Sequence, residues 1–233
     1  MRVALQPAFI LHTRPFRDSS LLVYLLTLDY GIVTTVARGA RAPKNKLRGL
    51  LLPFVPLLIS WSGKTELYNL TTVEPHQISY GLSGIRLISG FYLNELLLKL
   101  LHRHDAYPNI FHCYQTTLEA LHQSKNIQVF LRLFEKKLLA AIGYGLKLNT
   151  DIENHEIIHN ATYYYEHEQG FVRSNDKNKQ LISGNSLIAL HNEQFTNAAM
   201  LQEIKVLFRH ILTKLLDRPL KTPELLYTPL ERL

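Results

Sequence analysis

Ser20–Leu28 (SLLVYLLTL), Asp29-Tyr30-Gly31 and Ile32–Arg38 (IVTTVAR) decide the fold. Two short apolar runs flank a connection of hairpin length that contains glycine, the pattern of two paired strands. Working outward, Pro7–Arg14 (PAFILHTR) reads as a strand before them. Leu51–Trp61 is a fourth run, made irregular or edge-like by Pro53 and Pro56. After the turn Ser62-Gly63-Lys64, Glu66–Val73 (ELYNLTTV) is a fifth. Five short, antiparallel, turn-linked strands in about 70 residues predict a small barrel or sandwich, and a five-stranded OB barrel fits the count and size best.

Glu74-Pro75-His76, Gly81 and Gly84 mark a change of period. Leu87, Phe91, Leu93, Leu96, Leu97, Leu100 and Leu101 recur near 3.6 residues and predict a largely buried helix from Ile85 to His104. Pro108 restarts a helix over 109–123, and a third spans Ile127–Ile142 before the stop signal Gly143-Tyr144-Gly145. Ala161–Tyr165 and Gly170–Arg173 predict a hairpin, followed by helices over 184–192 and 198–216. Thr222-Pro223-Glu224-Leu225 starts a last short helix, an N-cap followed by proline. The expected class is α+β. Residues 1–80 form an N-terminal five-stranded OB-fold β-barrel, and residues 81–233 a mostly α-helical domain with a small β-hairpin insertion.

The connection between the third and fourth runs holds the strongest functional signal. Arg38, Arg41, Lys44, Lys46 and Arg48 place five cations within eleven residues, with no acid among them. Gly39, Pro43, Asn45 and Gly49 argue against a helix or strand there. Such a loop suits a polyphosphate partner, and a solvated loop without a ligand has the same composition. The whole chain of 233 residues carries a formal net charge of +7, which favours an anionic partner without naming it.

Several classes fall away. The 46% hydrophobic content is that of a globular chain, and no apolar run reaches about 18 residues, so no membrane helix is expected. The N-terminus lacks a signal-peptide pattern, and the expected location is cytoplasmic. The single cysteine, Cys113, excludes an intrachain disulfide and reads as a buried, inert thiol. There is no P-loop, no G-x-G-x-x-G after a strand, no G-x-S-x-G and no H-E-x-x-H. His155 and His159, four apart, can chelate zinc if helical, and His167 lies nearby, but no third ligand is set by spacing. No catalytic residue, metal or cofactor is assigned.

Ala8–Phe16 (AFILHTRPF), Asp18–Leu21, Gly31 with Val36–Arg41 (VARGAR), Leu51–Phe54, Tyr92–Leu96 (YLNEL), Arg132–Gly145 and Arg218–Leu226 (RPLKTPELL) together resemble the bacterial RecO recombination-mediator family. The matches span almost the whole chain in order. The resemblance implies a non-enzymatic role in DNA repair and recombination: binding single- and double-stranded DNA, annealing complementary strands, and acting with RecR, and in some systems RecF, to load RecA onto DNA coated by single-strand-binding protein (SSB). It also implies binding of the acidic C-terminal SSB tail. Some members of that family carry a four-cysteine zinc module. This chain has no such cysteines and resembles the zinc-free branch.

On that reading Arg38, Arg41, Lys44, Lys46 and Arg48 are the primary phosphate contacts, with Arg14 and Arg17 beside the first turn extending the track and Arg2 a further candidate. Phe9, Phe16, Tyr24, Tyr30 and Trp61 are candidate stacking residues; Phe16 and Tyr30 rank first because they lie near turns. Arg209, His210, Lys214, Arg218 and Lys221 form a second basic cluster, for which helix-terminal charge compensation is the competing explanation. Arg132 and Lys136, four apart on one side of the third helix, are candidates for the SSB tail, Arg132 for its carboxylate. Two other classes stay open on the residues alone: an RNA-binding OB module without annealing activity, and a metal-dependent hydrolase using the His155, His159 and His167 region.

Overall fold

The computed structural model describes residues 1–43, 45, 47–64, 67–216 and 218–222. The expected last helix lies outside the described residues from Pro223 on. Strands β1 (Arg2–Phe16), β2 (Ser20–Thr27), β3 (Gly31–Ala37), β4 (Leu57–Ser62) and β5 (Leu67–Pro75) close a barrel in the order β1-β2-β3-β5-β4. The strands were expected to be antiparallel throughout. One seam differs: Thr34–Val36 of β3 run parallel to Leu67–Asn69 of β5. Strand direction requires this. β4 pairs antiparallel with β1, and β5 antiparallel with β4, so β5 points the same way as β3. β4 begins only at Leu57, because Pro53 and Pro56 cannot donate to a ladder.

Closure needs a bent first strand, and β1 supplies it. Its register against β2 shifts between Ile10 and His12, leaving Leu11 as the extra residue of a bulge. A second shift, between Val3 and Gln6, lets the same strand turn onto β4. Val3, Ala8, Ile10, Val23, Leu25, Val33, Ile59 and Trp61 belong to the buried apolar cluster of the barrel. Phe9 is equally buried but meets the rings of Phe111 and Tyr114 instead, at 5.4 and 5.2 Å.

After the one-turn helix α1 (Leu47–Leu50), the helices begin with α2 (Gly84–Leu100) and α3 (Pro108–Gln123). Both belong, with the barrel and the described residues after Pro219, to one compact unit whose main segment is Met1–Gln123. Asn94 of α2 is buried. Its Nδ2 donates to the Leu11 carbonyl at 2.9 Å, and its Oδ1 accepts from the Tyr114 hydroxyl at 2.5 Å. Burial pushes the Tyr114 phenol well above its ordinary pKa, so it stays a donor. α2 ends at Leu100 rather than near His104 because the chain then meets the barrel: Arg103 bridges to Ile32, and the His104 N–H donates to the Ile32 carbonyl at 3.2 Å. Gly31 permits this approach. Its φ is +61°, and a Cβ there would lie 1.8 Å from the Asp105 carbonyl oxygen. Glu95 collects the returning chain: its carboxylate accepts from the Lys221 and Thr222 N–H groups and from the Thr222 hydroxyl.

The second compact unit is Ser124–Pro219. It contains α4 (Ile127–Ala141), α5 (Gly184–Asn192), α6 (Ala198–Leu215) and a sheet in the order β7-β6-β8, with β6 Thr162–Glu166, β7 Gly170–Arg173 and β8 Leu181–Ser183. The expected hairpin is β6 and β7, and β8 makes the insertion a three-stranded sheet. With three residues, β8 has too little alternation to read. Its last residue, Ser183, already caps α5 by accepting from the Ser186 N–H.

Three outcomes are expected. Asn94→Ala removes the donor to the buried Leu11 carbonyl and the acceptor of the Tyr114 hydroxyl, so urea unfolding should show a loss of about 1–3 kcal/mol. Tyr114→Phe, which strands one acceptor only, should lose less. For Glu95, burial raises the pKa, but the Lys221 and Thr222 hydrogen bonds and nearby Lys99 outweigh it and hold the carboxyl below the ordinary 4.5. A depressed folded pKa contributes stability that is present above the unfolded value and lost as pH falls through the folded one. Glu95→Gln should therefore flatten the stability–pH curve below about pH 4.5, followed by thermal unfolding.

Candidate nucleic-acid interface

Strand direction brings the basic residues together. β1 and β3 run the same way, so the β1–β2 turn and the connection after β3 emerge at the same end of the barrel. They are bonded there: the Arg41 N–H donates to the Ser19 carbonyl at 2.9 Å, and Arg41 Nη1 to the Arg17 carbonyl at 3.3 Å. Arg14, Arg17, Arg38 and Arg41 are all exposed, and among the described residues none of them forms an ion pair. The acid of this turn, Asp18, is also exposed. Two arginines lie beside aromatic rings. The Arg14 guanidinium carbon is 5.7 Å from the Tyr24 ring centre, and that of Arg17 is 5.2 Å from Phe16. Such contacts hold a cation in place without neutralising it.

The connection is built rather than loose at its start. Gly39, at φ +65°, offers its carbonyl to the Ala42 N–H at 3.0 Å and to Asn45 Nδ2 at 2.8 Å. Asn45 then accepts from the Leu47 N–H at 2.9 Å. That contact satisfies one orphan donor at the start of α1, so a single helical turn forms where Gly39, Pro43, Asn45 and Gly49 had argued against any. Ala40 and Leu51 join the barrel's apolar cluster, with Leu47 and Leu50 packed against it. Lys44 and Lys46 lie outside the described residues, as does the side chain of Arg48.

The aromatic candidates separate by position. Trp61 and Phe9 are fully buried in packing roles. Tyr30 sits in the β2–β3 turn, at the end of the barrel away from the arginines, and packs edge-on against Trp61 at 5.4 Å. The eight residues of β2 put about 25 Å between the two ends. Phe16 and Tyr24 are half-buried and lie beside the arginines. Proximity to a turn ranked Tyr30 above Tyr24; strand direction reverses that order.

The remaining candidates are more committed. Arg132 is buried and pairs with Glu135 at 2.8 Å, and its Nε is buried without a hydrogen-bond partner among the described residues. Lys136 donates to the Leu190 and His191 carbonyls at the end of α5 and pairs with Glu193 at 2.9 Å. It serves as a cap of that helix, a role invisible in the local sequence because the partners lie more than 50 residues away. Arg209 and Lys214 are exposed on α6 and Arg218 is exposed beyond it, whereas Lys221 belongs to the other compact unit. The segment 151–161 is irregular, with two short turns and a bridge from Glu156 to Thr150, so the four-residue spacing of His155 and His159 has no helix to act through. His155 lies near Asp151 and Glu153, and His159 Nδ1 is 2.8 Å from Asn185 Oδ1. Among the described residues no three His, Cys, Asp or Glu side chains converge on a metal position. No described helix is long and apolar enough to cross a membrane.

Asn45→Ala should release the start of the connection without unfolding the barrel. Amide exchange of Leu47 should speed up at least several-fold, while the thermal midpoint changes by no more than a surface cap is worth, about 1 kcal/mol. An unchanged Leu47 rate would contradict the role given to Asn45.

Comparison with known proteins covers the chain from end to end. A family model described as recombination protein O N terminal matches residues 1–79, and one described as recombination protein O C terminal matches residues 82–224. A protein of Coxiella burnetii (strain RSA 493 / Nine Mile phase I), named DNA repair protein RecO, is 46% identical over 229 residues, 97% of this chain and 99% of that protein. Relatives of the same name from Cellvibrio japonicus and Nitrosospira multiformis are 43% and 39% identical, covering 98% and 95% of this chain and 98% and 93% of their own lengths. With both halves matched in order on a closed five-stranded barrel and the helical region after it, the chain belongs to the RecO family.

Proposed function

We propose that this chain is a non-enzymatic mediator of DNA repair and recombination. It binds single- and double-stranded DNA and anneals complementary strands. With RecR and RecF it helps load RecA onto SSB-coated DNA. The observation that carries the reading is the group of four exposed arginines, without ion pairs among the described residues, at one end of the barrel beside two half-buried aromatic rings. Annealing asks for charge neutralisation rather than bond chemistry. Two single strands repel each other. A cationic surface that releases their condensed counterions brings both to one place, and aromatic faces hold the bases unpaired until they match. Arg14, Arg17, Arg38 and Arg41 form this surface, joined by Lys44, Lys46 and Arg48. Arg209, Lys214, Arg218 and Lys221 are secondary contacts. Residues 1–80 act as the DNA module, and residues 81–233 serve partner proteins.

The SSB tail is assigned to Arg132 and Lys136 on different terms from an open rim. Both cations already have carboxylate partners, Glu135 and Glu193. An acidic tail would take the place of those carboxylates rather than meet free charges.

Annealing of complementary oligonucleotides, without nucleotide or metal, tests the reading. Wild-type protein should anneal both bare and SSB-coated strands. Changing Arg14, Arg17, Arg38 and Arg41 together to Ala should abolish this. The salt dependence of single-strand affinity should also become shallower, by about 0.7 in log–log slope for each phosphate that is no longer neutralised. No annealing by the wild type, with tighter binding to RNA than to DNA, would replace this reading with that of an RNA-binding module.

A further inference from the structure

The second compact unit contains a concavity of about 220 Å³ between the tip of the β6–β7 hairpin, the segment before β8, and α6. From α6 come Leu207, His210 and Lys214, spaced three and four apart and therefore on one stripe of that helix. From the segment before β8 comes Lys179, whose Nζ lies 4.5 Å over the Tyr164 ring. The hairpin contributes Glu166 and His167. Two lysines and two histidines thus face one small space from three elements, against one carboxylate.

Ordinary structural roles account for only part of this. Lys214 in the last turn of α6 is favourable to the helix dipole, and His210 sits one turn earlier. That argument does not reach Lys179 or His167, which are on other elements. Nor do the charges cancel internally: neither lysine forms an ion pair with Glu166 among the described residues. The Nδ1 of His167 is buried with no hydrogen-bond partner among the described residues, and its Nε2 lies 3.9 Å from Glu168 Oε1, so this ring meets a ligand only after it turns. The space holds several water-sized groups, enough for a tetrahedral oxyanion.

We propose that this concavity binds a phosphate group, with Lys179 and Lys214 supplying charge and His167 and His210 supplying hydrogen bonds. The inference rests on the DNA-binding reading for its preferred source, a nucleic-acid strand whose flanking base lies against Tyr164. A free phosphorylated molecule offers the same chemistry. The residues lining it all belong to the second compact unit, whereas the barrel arginines belong to the first.

Histidine side-chain NMR of the full chain tests this. Inorganic phosphate should shift the His167 and His210 resonances saturably, and sodium chloride at equal ionic strength should not. A short oligothymidylate producing the same shifts identifies a strand as the source; phosphate acting alone identifies a free molecule. Lys179→Ala with Lys214→Ala should weaken binding at least tenfold. Glu166→Gln should strengthen it about two- to fivefold, the scale of one exposed charge contact. A variant lacking Arg38 and Arg41 should retain the phosphate response, so a failure of the barrel surface and a failure of this site are read separately. No saturable shift with phosphate or oligonucleotide, a shift matched by sodium chloride, or weaker binding in Glu166→Gln would overturn the proposal.

Discussion

One carbonyl organises the first compact unit. The bulge at Leu11 bends β1 enough to close the barrel, but it also takes Leu11 out of the ladder with β2. A buried carbonyl without a donor is costly. Asn94 reaches it from α2, and Tyr114 on α3 completes the amide. The same three residues fix how Phe9 meets Phe111 and Tyr114. Barrel closure and the seating of two helices are therefore one problem with one solution. The compact unit accordingly runs past the change of period near residue 80 and takes in α2 and α3, to Gln123.

Much of this was legible in the residues. Alternation and turn chemistry located the strands, and strand count pointed to the barrel. Helical periodicity located α2 to α6 to within a few residues. What stayed hidden depended on distant partners. Asn94 looks like any polar residue in a helix until Leu11 is known to be unpaired. The end of α2 at Leu100 depends on Gly31 and Ile32, about 70 residues earlier in the chain. β8 is too short to show a period. Glu95 shows nothing in its neighbourhood of its grip on Thr222.

The interface divides along the same line. The density of cations between Arg38 and Arg48 is a local property and could be read directly. Arg14 and Arg17 were expected to extend that track, and strand direction gives the reason they share its end of the barrel; it also puts Tyr24 rather than Tyr30 beside the arginines. Arg132 illustrates the opposite use of the same residue type. Its burial against Glu135 places both charges out of water, an arrangement that repays its desolvation only through close pairing. The barrel arginines are exposed, and among the described residues no carboxylate pairs with them. A chain that acts on nucleic acid without reaction chemistry needs the second kind.

The most direct measurement is photocrosslinking of a single-stranded oligonucleotide carrying bromouracil to the full chain, with the attached peptides identified by mass spectrometry. The account predicts adducts at Phe16 or Tyr24 and along Arg38–Arg48, lost at high salt along with binding. Adducts confined to Ser124–Pro219, with none on the barrel, would contradict it.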